Sequence, residues 1–519
     1  MRCTGWFVLS TLLVGCSPPA GELPLDPDTG TPVAESGPDD GAVEADAAVD
    51  SAPLDTGRPC DTTRSPSEDP CVLREDLGVF VSSSTGSDAA PADGSRFRPY
   101  KTIGKALGFA QSAGKNVFAC AEEFAEVVTL LDGVHLYGGV DCKGGSIALS
   151  GRTRVVATGP ALVAKNTTKP TRVQDLDVKG NAPSGAGTTA VAMLAVDAAG
   201  VELTRVTLVA GDGNDGTSGT SGATGVGGLA ATAGGDSSAC SAKPAGGTGG
   251  GAGAQRGGDG GAPSCGAEPK PGSDATSVSG TSGKGGGAGR FNAACTSGNV
   301  GTNGVPGTHG SGGAAFGAVV SDVYVANNAG TAGTDGTAGG GGGGGGAGYY
   351  DQSTTGTKYS GGAGGGGGGG GLGGKAAAAG SGGGASIALL SIRSKVSLAS
   401  CSLETASGGK GGTGGDGGGG GLAGPGRLGG KSTGLVADPL DADQPGCAGG
   451  QGGSGGAGGS GGGGGGGPSI GVLVVGTEPT RTATTVKLGT PGAGGPGGKG
   501  APIGASGTTG TAVDVFLVK

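Results

Sequence analysis

Side chains suited to acid–base or nucleophilic chemistry are few in this chain of 519 residues, which has only two histidines, His135 and His309. Histidine-based catalysis or a multi-histidine metal site therefore has very little raw material. Carboxylates come next, because cleavage of a polysaccharide uses paired acids, or a metal with a basic residue as proton acceptor. Asp175, Asp177 and Lys179 alternate along one expected strand, which places them on a single face, and Arg172 stands near them. The plainer reading of that set is a charged solvent face. Asp212 and Asp215 form a second, looser carboxylate pair. Eleven cysteines complete the reactive inventory.

Most of those cysteines read as structural. Cys3 falls in the leader. Cys60 with Cys71, and Cys120 with Cys142, are near neighbours suited to disulfides in an oxidising envelope. Cys401 aligns with Val206 in a strand repeat and reads as a buried core thiol. Cys240, Cys265, Cys295 and Cys447 lie in glycine tracts and allow three pairings. None has the paired spacing of a zinc site, so no metal or cofactor is expected. Gly429-Gly430-Lys431-Ser432 ends like a phosphate-binding loop, but Pro425 holds the leading glycine position and no strand-to-helix context surrounds it. The run from Gly411 to Gly417 resembles the start of a calcium-binding nonapeptide. Gly418 stands where that motif needs a large aliphatic residue, so Asp416 reads as solvated.

The first residues read as an address. Met1 and Arg2 precede an apolar run from Trp6 to Val14, which closes in Leu13-Val14-Gly15-Cys16. That order resembles the bacterial lipobox, and it implies that Cys16 is lipidated and becomes the mature N-terminus. The apolar run is too short to span a bilayer, whereas acyl chains supply anchoring at roughly 0.8 kcal/mol per buried methylene. Ser17 follows where aspartate would resemble an inner-membrane retention signal, so an outer-membrane lipoprotein is expected, at the cell surface or on the periplasmic face. The segment after Cys16 is rich in proline, alanine and acid. It cannot bury enough apolar surface to order itself and reads as a disordered stalk over 17–78.

Glycine supplies 133 residues, against a usual share of about 7%. Aromatics are 3% and charged residues 14%, so much of the chain has no side chains with which to build a packed core. The net charge of −9 argues against nucleic acid as a partner, since phosphate needs a basic surface.

Order begins at Val79-Phe80-Val81, followed by a polar loop and Arg98-Pro99-Tyr100-Lys101-Thr102-Ile103. Ile103, Ala106, Leu107 and Ala110 share one helical face, with Pro99 expected in the first turn. Short β-branched runs follow through Leu136-Tyr137-Gly138-Gly139 to Cys142. Residues 79–142 resemble the N-terminal portion of right-handed parallel β-helix proteins of the pectate-lyase-like class, as it opens many glycine-rich myxobacterial surface lipoproteins. The composition is also similar to glycine-rich proteins of the PGRS type. The resemblance implies a fold, not an activity. Later segments repeat: Ala190–Val196, Ser386–Ile392, Ser469–Val475 and Ala512–Val518 are alike, as stacked rungs require.

The expected fold is thus all-β: a right-handed parallel β-helix with an N-terminal capping helix and long glycine-rich insertions. The expected division is 1–16 signal peptide, 17–78 stalk and 79–210 N-terminal β-helix. Insertions at 211–312, 329–384 and 407–467 then alternate with rungs at 313–328, 385–406 and 468–519. The insertions should leave from one side. By default they are flexible loops, because nothing in them offsets the roughly 1–2 kcal/mol of ordering each residue. The alternative rests on the strict period of three in Gly452–Ser460: left-handed extended helices bonded backbone to backbone. The expected role is non-enzymatic, structural or adhesive, with the membrane as partner through lipid and polysaccharide or extracellular matrix as contact. A carbohydrate-binding or carbohydrate-active β-helix is the rival, and an ice- or crystal-binding surface a third reading.

Overall fold

The computed structural model describes residues 60–518, apart from 143–147, 241, 252–254, 266, 277–281, 291–292, 327, 350, 353–357 and 433–443. Cys16 and its leader, and the 17–59 part of the stalk, lie outside the described residues. Cys60–Leu73, which the sequence groups with the stalk, carries a disulfide to Cys71 and a 3-10 turn at Pro70–Val72, and buries Val72 and Leu73.

The protein is nearly all β, with parallel sheets. The first sheet runs Gly78–Val81, Asn116–Cys120, Leu136–Asp141, Thr171–Gln174, Val201–Thr204, Val396–Ala399 and Thr480–Thr482, with Ala148–Leu149 antiparallel at its side. Glu123–Phe124, Thr153–Thr158, Leu176–Asn181, Thr207–Ala210, Ser402–Thr405 and Thr485–Lys487 make the second. The third stacks Val128–Leu130, Leu162–Lys165, Ala190–Val196, Ser386–Ile392, Ser469–Val475 and Ala512–Val518. From Asn116 onward the chain visits first, second and third sheet in fixed rotation, and each strand pairs in parallel with those one circuit away. Alternate residues point inward and meet in one cluster: Val117, Leu136, Val173 and Leu203 from the first sheet, Phe124, Val178 and Leu208 from the second, Leu162, Met193 and Leu389 from the third. Valine, isoleucine and leucine suit such half-buried strands.

The single α-helix among the described residues, Ile103–Ala113, closes the start of this cluster with Ile103, Ala106, Leu107 and Ala110, all fully buried. It begins later than the proline suggests. Thr102 is the N-cap, its hydroxyl accepting from Lys105 N–H, and the Glu126 carboxylate accepts from Ile103 and Gly104 N–H. Gly114 ends it at φ 65°. The segment 313–328, expected as a rung, is instead an antiparallel hairpin, Ala318–Val320 with Val323–Val325. It covers the outward apolar face of the third sheet through Phe316, Val319 and Tyr324.

The glycine excursions at 211–385 (which contains the hairpin), 406–468 and 488–511 all leave after a second-sheet strand and return before a third-sheet strand. They are not flexible loops, which corrects the default expectation. The backbone groups that would otherwise need water find partners in other tracts. Gly362 N–H donates to Gln444 O, Ala363 to Gly235, Gly364 to Gly261, and Gly365 returns to the first neighbour at Cys447. Successive residues therefore face three directions, the geometry of a three-residue extended helix. Apart from Ser321 and Asp322 in the hairpin turn, positive φ within the described tracts is confined to Gly251 and Gly500, as left-handed extended helices require.

The strands set the register. Thr207 pairs with Ser402, and beyond the sheet Gly213, Gly216 and Gly219 N–H donate to Ser407, Lys410 and Thr413 O, so the pairing simply continues outward. Glycine is required at most positions where a tract has a neighbour, although Ala347 and Ala363 are accommodated in the buried lattice. A Cβ on Gly367 would lie 2.0 Å from Gly342 O, and one on Gly412 1.9 Å from Thr217 O. The run 361–371 is buried throughout. Where the arms at 247–261 stop, Leu372, Lys375 and Ala378 appear at every third position and are exposed. Likewise Gly463 and Gly466 lie under the arm ending near Ile503, Ser460 is buried against its turn and donates to Lys499 O, and beyond it Ala457, Ser454 and Gln451 take over the same positions. Side chains begin where neighbours end.

Gly367→Ala is therefore expected to cost at least the ~1–3 kcal/mol typical of overpacking, whereas Thr413→Ala on the outward position is expected to be near neutral; denaturant unfolding of both variants checks this. Slow amide exchange at Gly364–Gly370 is the accompanying expectation, and random-coil exchange there would refute the lattice.

Candidate functional site

Two junctions between sheets repeat a left-handed residue. From first to second sheet these are Asp175, Arg205, Ser400 and Ala483, with φ between 47° and 58°. From third to first they are Asn166, Asp197 and Arg393, followed by Gly476. Aspartate and asparagine tolerate this region best among residues with side chains. At each junction an arginine one circuit later binds the aspartate through both nitrogens. Arg205 reaches Asp175 at 2.7 Å twice, and Arg393 reaches Asp197 at 2.7 and 2.8 Å. Arg393 also meets Asp322 of the hairpin at 3.1 Å.

The carboxylates singled out for chemistry are consequently separated. Asp175 sits in the junction, while Asp177 and Lys179 point outward from the second sheet. Asp177 is bound by Arg152 at 2.8 Å, and Arg172 is taken by Glu202 at 2.8 Å. The expected single face of Asp175, Asp177 and Lys179 does not form, because the left-handed turn at Asp175 breaks strand alternation before Leu176. Arg172 also donates to Thr63 O at 2.6 Å, and Gln174 to Ser67 Oγ at 3.0 Å, fastening the Cys60–Cys71 loop to the first sheet. His135 accepts from Arg172 N–H at 3.1 Å, and burial, with the Arg172 charge beside it, pushes its pKa below the ordinary value.

The remaining acids and hydroxyls finish the lattice. Asp212 and Asp215 accept from Ser407 and Lys410 N–H at 2.9 and 2.6 Å; Asp416 accepts from Lys499 N–H at 2.6 Å. Asp236 caps Lys431 N–H at 2.7 Å, inside the phosphate-loop look-alike, and Gly430 N–H is already given to Ala363 O. Between antiparallel arms threonine does the same work: Thr334 accepts from Thr308 N–H and Thr331 from Ser311 N–H, both at 2.7 Å. Each takes up a backbone N–H of the adjoining tract that has no backbone acceptor in these pairings. Among the described residues, no cluster of three or more His, Cys, Asp or Glu is placed to hold a metal.

Four disulfides are present. Cys60–Cys71 and Cys120–Cys142 join the near neighbours, with Cα separations of 5.7 and 5.6 Å. The open pairing resolves as Cys240–Cys265 and Cys295–Cys447, both at the far end of the tracts. Cys401 is a buried free thiol donating to Leu203 O and Ala399 O; burial pushes its pKa up.

Sequence reasoning missed one feature, a cavity of about 460 Å³ between the hairpin, the outward face of the third sheet and the lattice base. Val191, Leu194 and Leu390 form its floor and Val323, Tyr324 and Val325 one wall. No periodic signal marks it, because its parts lie far apart along the chain. No family model, curated protein or solved structure matches this chain.

Acid should loosen the lattice edge. Asp335 is held below its usual pKa by its bond to Lys375 and then by Ala376 N–H, and Asp274 by Lys284 and then Gly285 N–H. A carboxylate with a lowered folded pKa contributes stability above its unfolded pKa of about 4 and loses it as pH falls through the folded value. The melting temperature is expected to drop below about pH 4, with a smaller drop in Asp335→Asn; scanning calorimetry from pH 7 to 2 checks both. Removing Cys295–Cys447 is expected to cost more than removing Cys240–Cys265, about 5 against about 3.5 kcal/mol from loop length alone, readable from the unfolding midpoints of the Cys→Ser pairs.

Proposed function

We propose that the three parallel sheets are the faces of a right-handed parallel β-helix, capped by the helix Ile103–Ala113. The fixed rotation through the sheets and the single enclosed core support this, and parallel connections are right-handed in almost all cases. On this scaffold the protein is a membrane-anchored, surface-exposed structural or adhesive lipoprotein. Lipidated Cys16 is the tether to an outer membrane, the acidic segment after it the spacer, and the glycine lattice the part held out to polysaccharide or matrix.

The carrying observation is the lattice: a large, backbone-bonded body that carries exposed side chains at every third position along stretches such as 372–378, all of it built out from one junction of the sheets. The reactive side chains support a non-enzymatic role, since Asp175, Asp177 and Arg172 are each engaged in an ion pair or hydrogen bonds. One observation favours the carbohydrate reading: a shallow cleft of about 390 Å³ on the outward face of the second sheet, lined by Arg154, Asp177, Lys179 and Thr207.

Two measurements test these readings. The mature N-terminus is expected to be an acylated Cys16 by mass spectrometry; an unmodified terminus downstream of it would remove the tether. Incubation with a panel of acidic polysaccharides is expected to give retention without new reducing or unsaturated ends, and the appearance of such ends would replace the adhesive reading with a catalytic one.

A further inference from the structure

We propose that the cavity beneath the hairpin is a binding site for an aliphatic chain bearing one carbonyl, the chemistry of a fatty acyl ester. Its volume of about 460 Å³ falls within the range of roughly 300–1,000 Å³ usual for small-molecule sites. The lining is mainly apolar, with Val191, Leu194, Leu390, Val323, Val325 and Pro183 among its residues.

The polar groups around it are already used. Thr188 Oγ1 donates to backbone carbonyls at Pro183 and Gly185, and Thr189 Oγ1 accepts from Ala385 N–H. Ser381 Oγ accepts from Thr217 N–H, and Asp322 is paired with Arg393. A sugar, with a hydroxyl on nearly every carbon, would find few groups to replace its water. Thr189 and Tyr324, whose hydroxyls only accept in these bonds, each keep a proton to give, and Tyr324 carries the larger apolar body. Its ring is 4% exposed, and its hydroxyl oxygen accepts from Gly317 N–H at 2.7 Å, which leaves the hydroxyl proton to donate. Burial raises its pKa to about 12, so that proton stays in place. An apolar body with a single acceptor is what such a lining recognises.

The third sheet's outward face also shows that the void is local. Ile387, Ile470 and Leu473 beside it are buried to 2% or less, whereas Val191 and Leu194 keep 7% exposure where the cavity lies. Val323 and Val325, 56% and 44% exposed, extend the apolar surface along the hairpin. The site stands whether or not Cys16 is lipidated, because no residue of it belongs to the leader.

The test is titration of the full-length chain, carrying Cys16→Ser to exclude its own acyl groups, with the hydrocarbon fluorophore diphenylhexatriene, followed by displacement with methyl laurate. Saturable uptake at one site and full displacement are expected. Val191→Trp should abolish both, and Ala186→Trp, also in the lining, should do so if the first variant does not fold. Tyr324→Phe should keep diphenylhexatriene binding while weakening methyl laurate by about 3–10-fold, the loss of one hydrogen bond. Unsaturable uptake, or equal uptake by a folded tryptophan variant, overturns the site. Equal methyl laurate affinity in Tyr324→Phe overturns recognition of the carbonyl.

Discussion

Every backbone N–H and C=O in this protein must find a partner, and for half the chain there is little else to bond with. An ordered residue loses roughly 1–2 kcal/mol of conformational freedom, and an intramolecular hydrogen bond returns about 0.5–1.5 kcal/mol. In glycine tracts the two nearly cancel, and no side-chain burial tips the balance. The lattice therefore depends on its boundaries. Both ends of the large excursions are pinned on strands of the stacked sheets, so neighbouring tracts start in register before any of their own bonds form. At the far end Cys240–Cys265 and Cys295–Cys447 hold the arms where the sheets no longer reach. The aliphatic core and the disulfides are the two clamps between which backbone bonding alone is sufficient.

Much of this was legible in the sequence. The recurrence of Ala190–Val196 in Ser386–Ile392, Ser469–Val475 and Ala512–Val518 marked the third sheet, and the helical face of Ile103, Ala106, Leu107 and Ala110 is the one that is buried. Cys60–Cys71 and Cys120–Cys142 followed from proximity along the chain. The tracts were harder. Read one at a time, each lacks anything to bury and so looks unordered. The acceptors for Gly367 and Gly368 N–H are Gly258 O and Gly450 O, which belong to other tracts far along the chain. Only the period of three carried the signal, and it is visible in Gly452–Ser460 but hidden where all three positions are glycine.

The charged residues were misread for a related reason. Alternation placed Asp175 beside Asp177, but a left-handed residue closes one strand there and resets the phase of the next. Once the circuits are aligned, Asp175 falls under Arg205 and Asp197 under Arg393, the same device at two junctions. The acids in the tracts were sought as calcium ligands and act instead as substitutes for a missing neighbouring chain. Composition alone cannot tell these uses apart, because both call for an exposed carboxylate among glycines.

The three-residue phase of the lattice also governs how such a chain can change length. Adding or removing one residue in an arm would rotate every following side chain by a third of a turn, driving Lys410 or Leu372 positions into a neighbour's carbonyls. Triplets leave the phase intact, and a matched pair of triplets lengthens a hairpin without moving its roots. An arm built out from the sheets can therefore differ in length by triplets while the strand pairing beneath it stays the same.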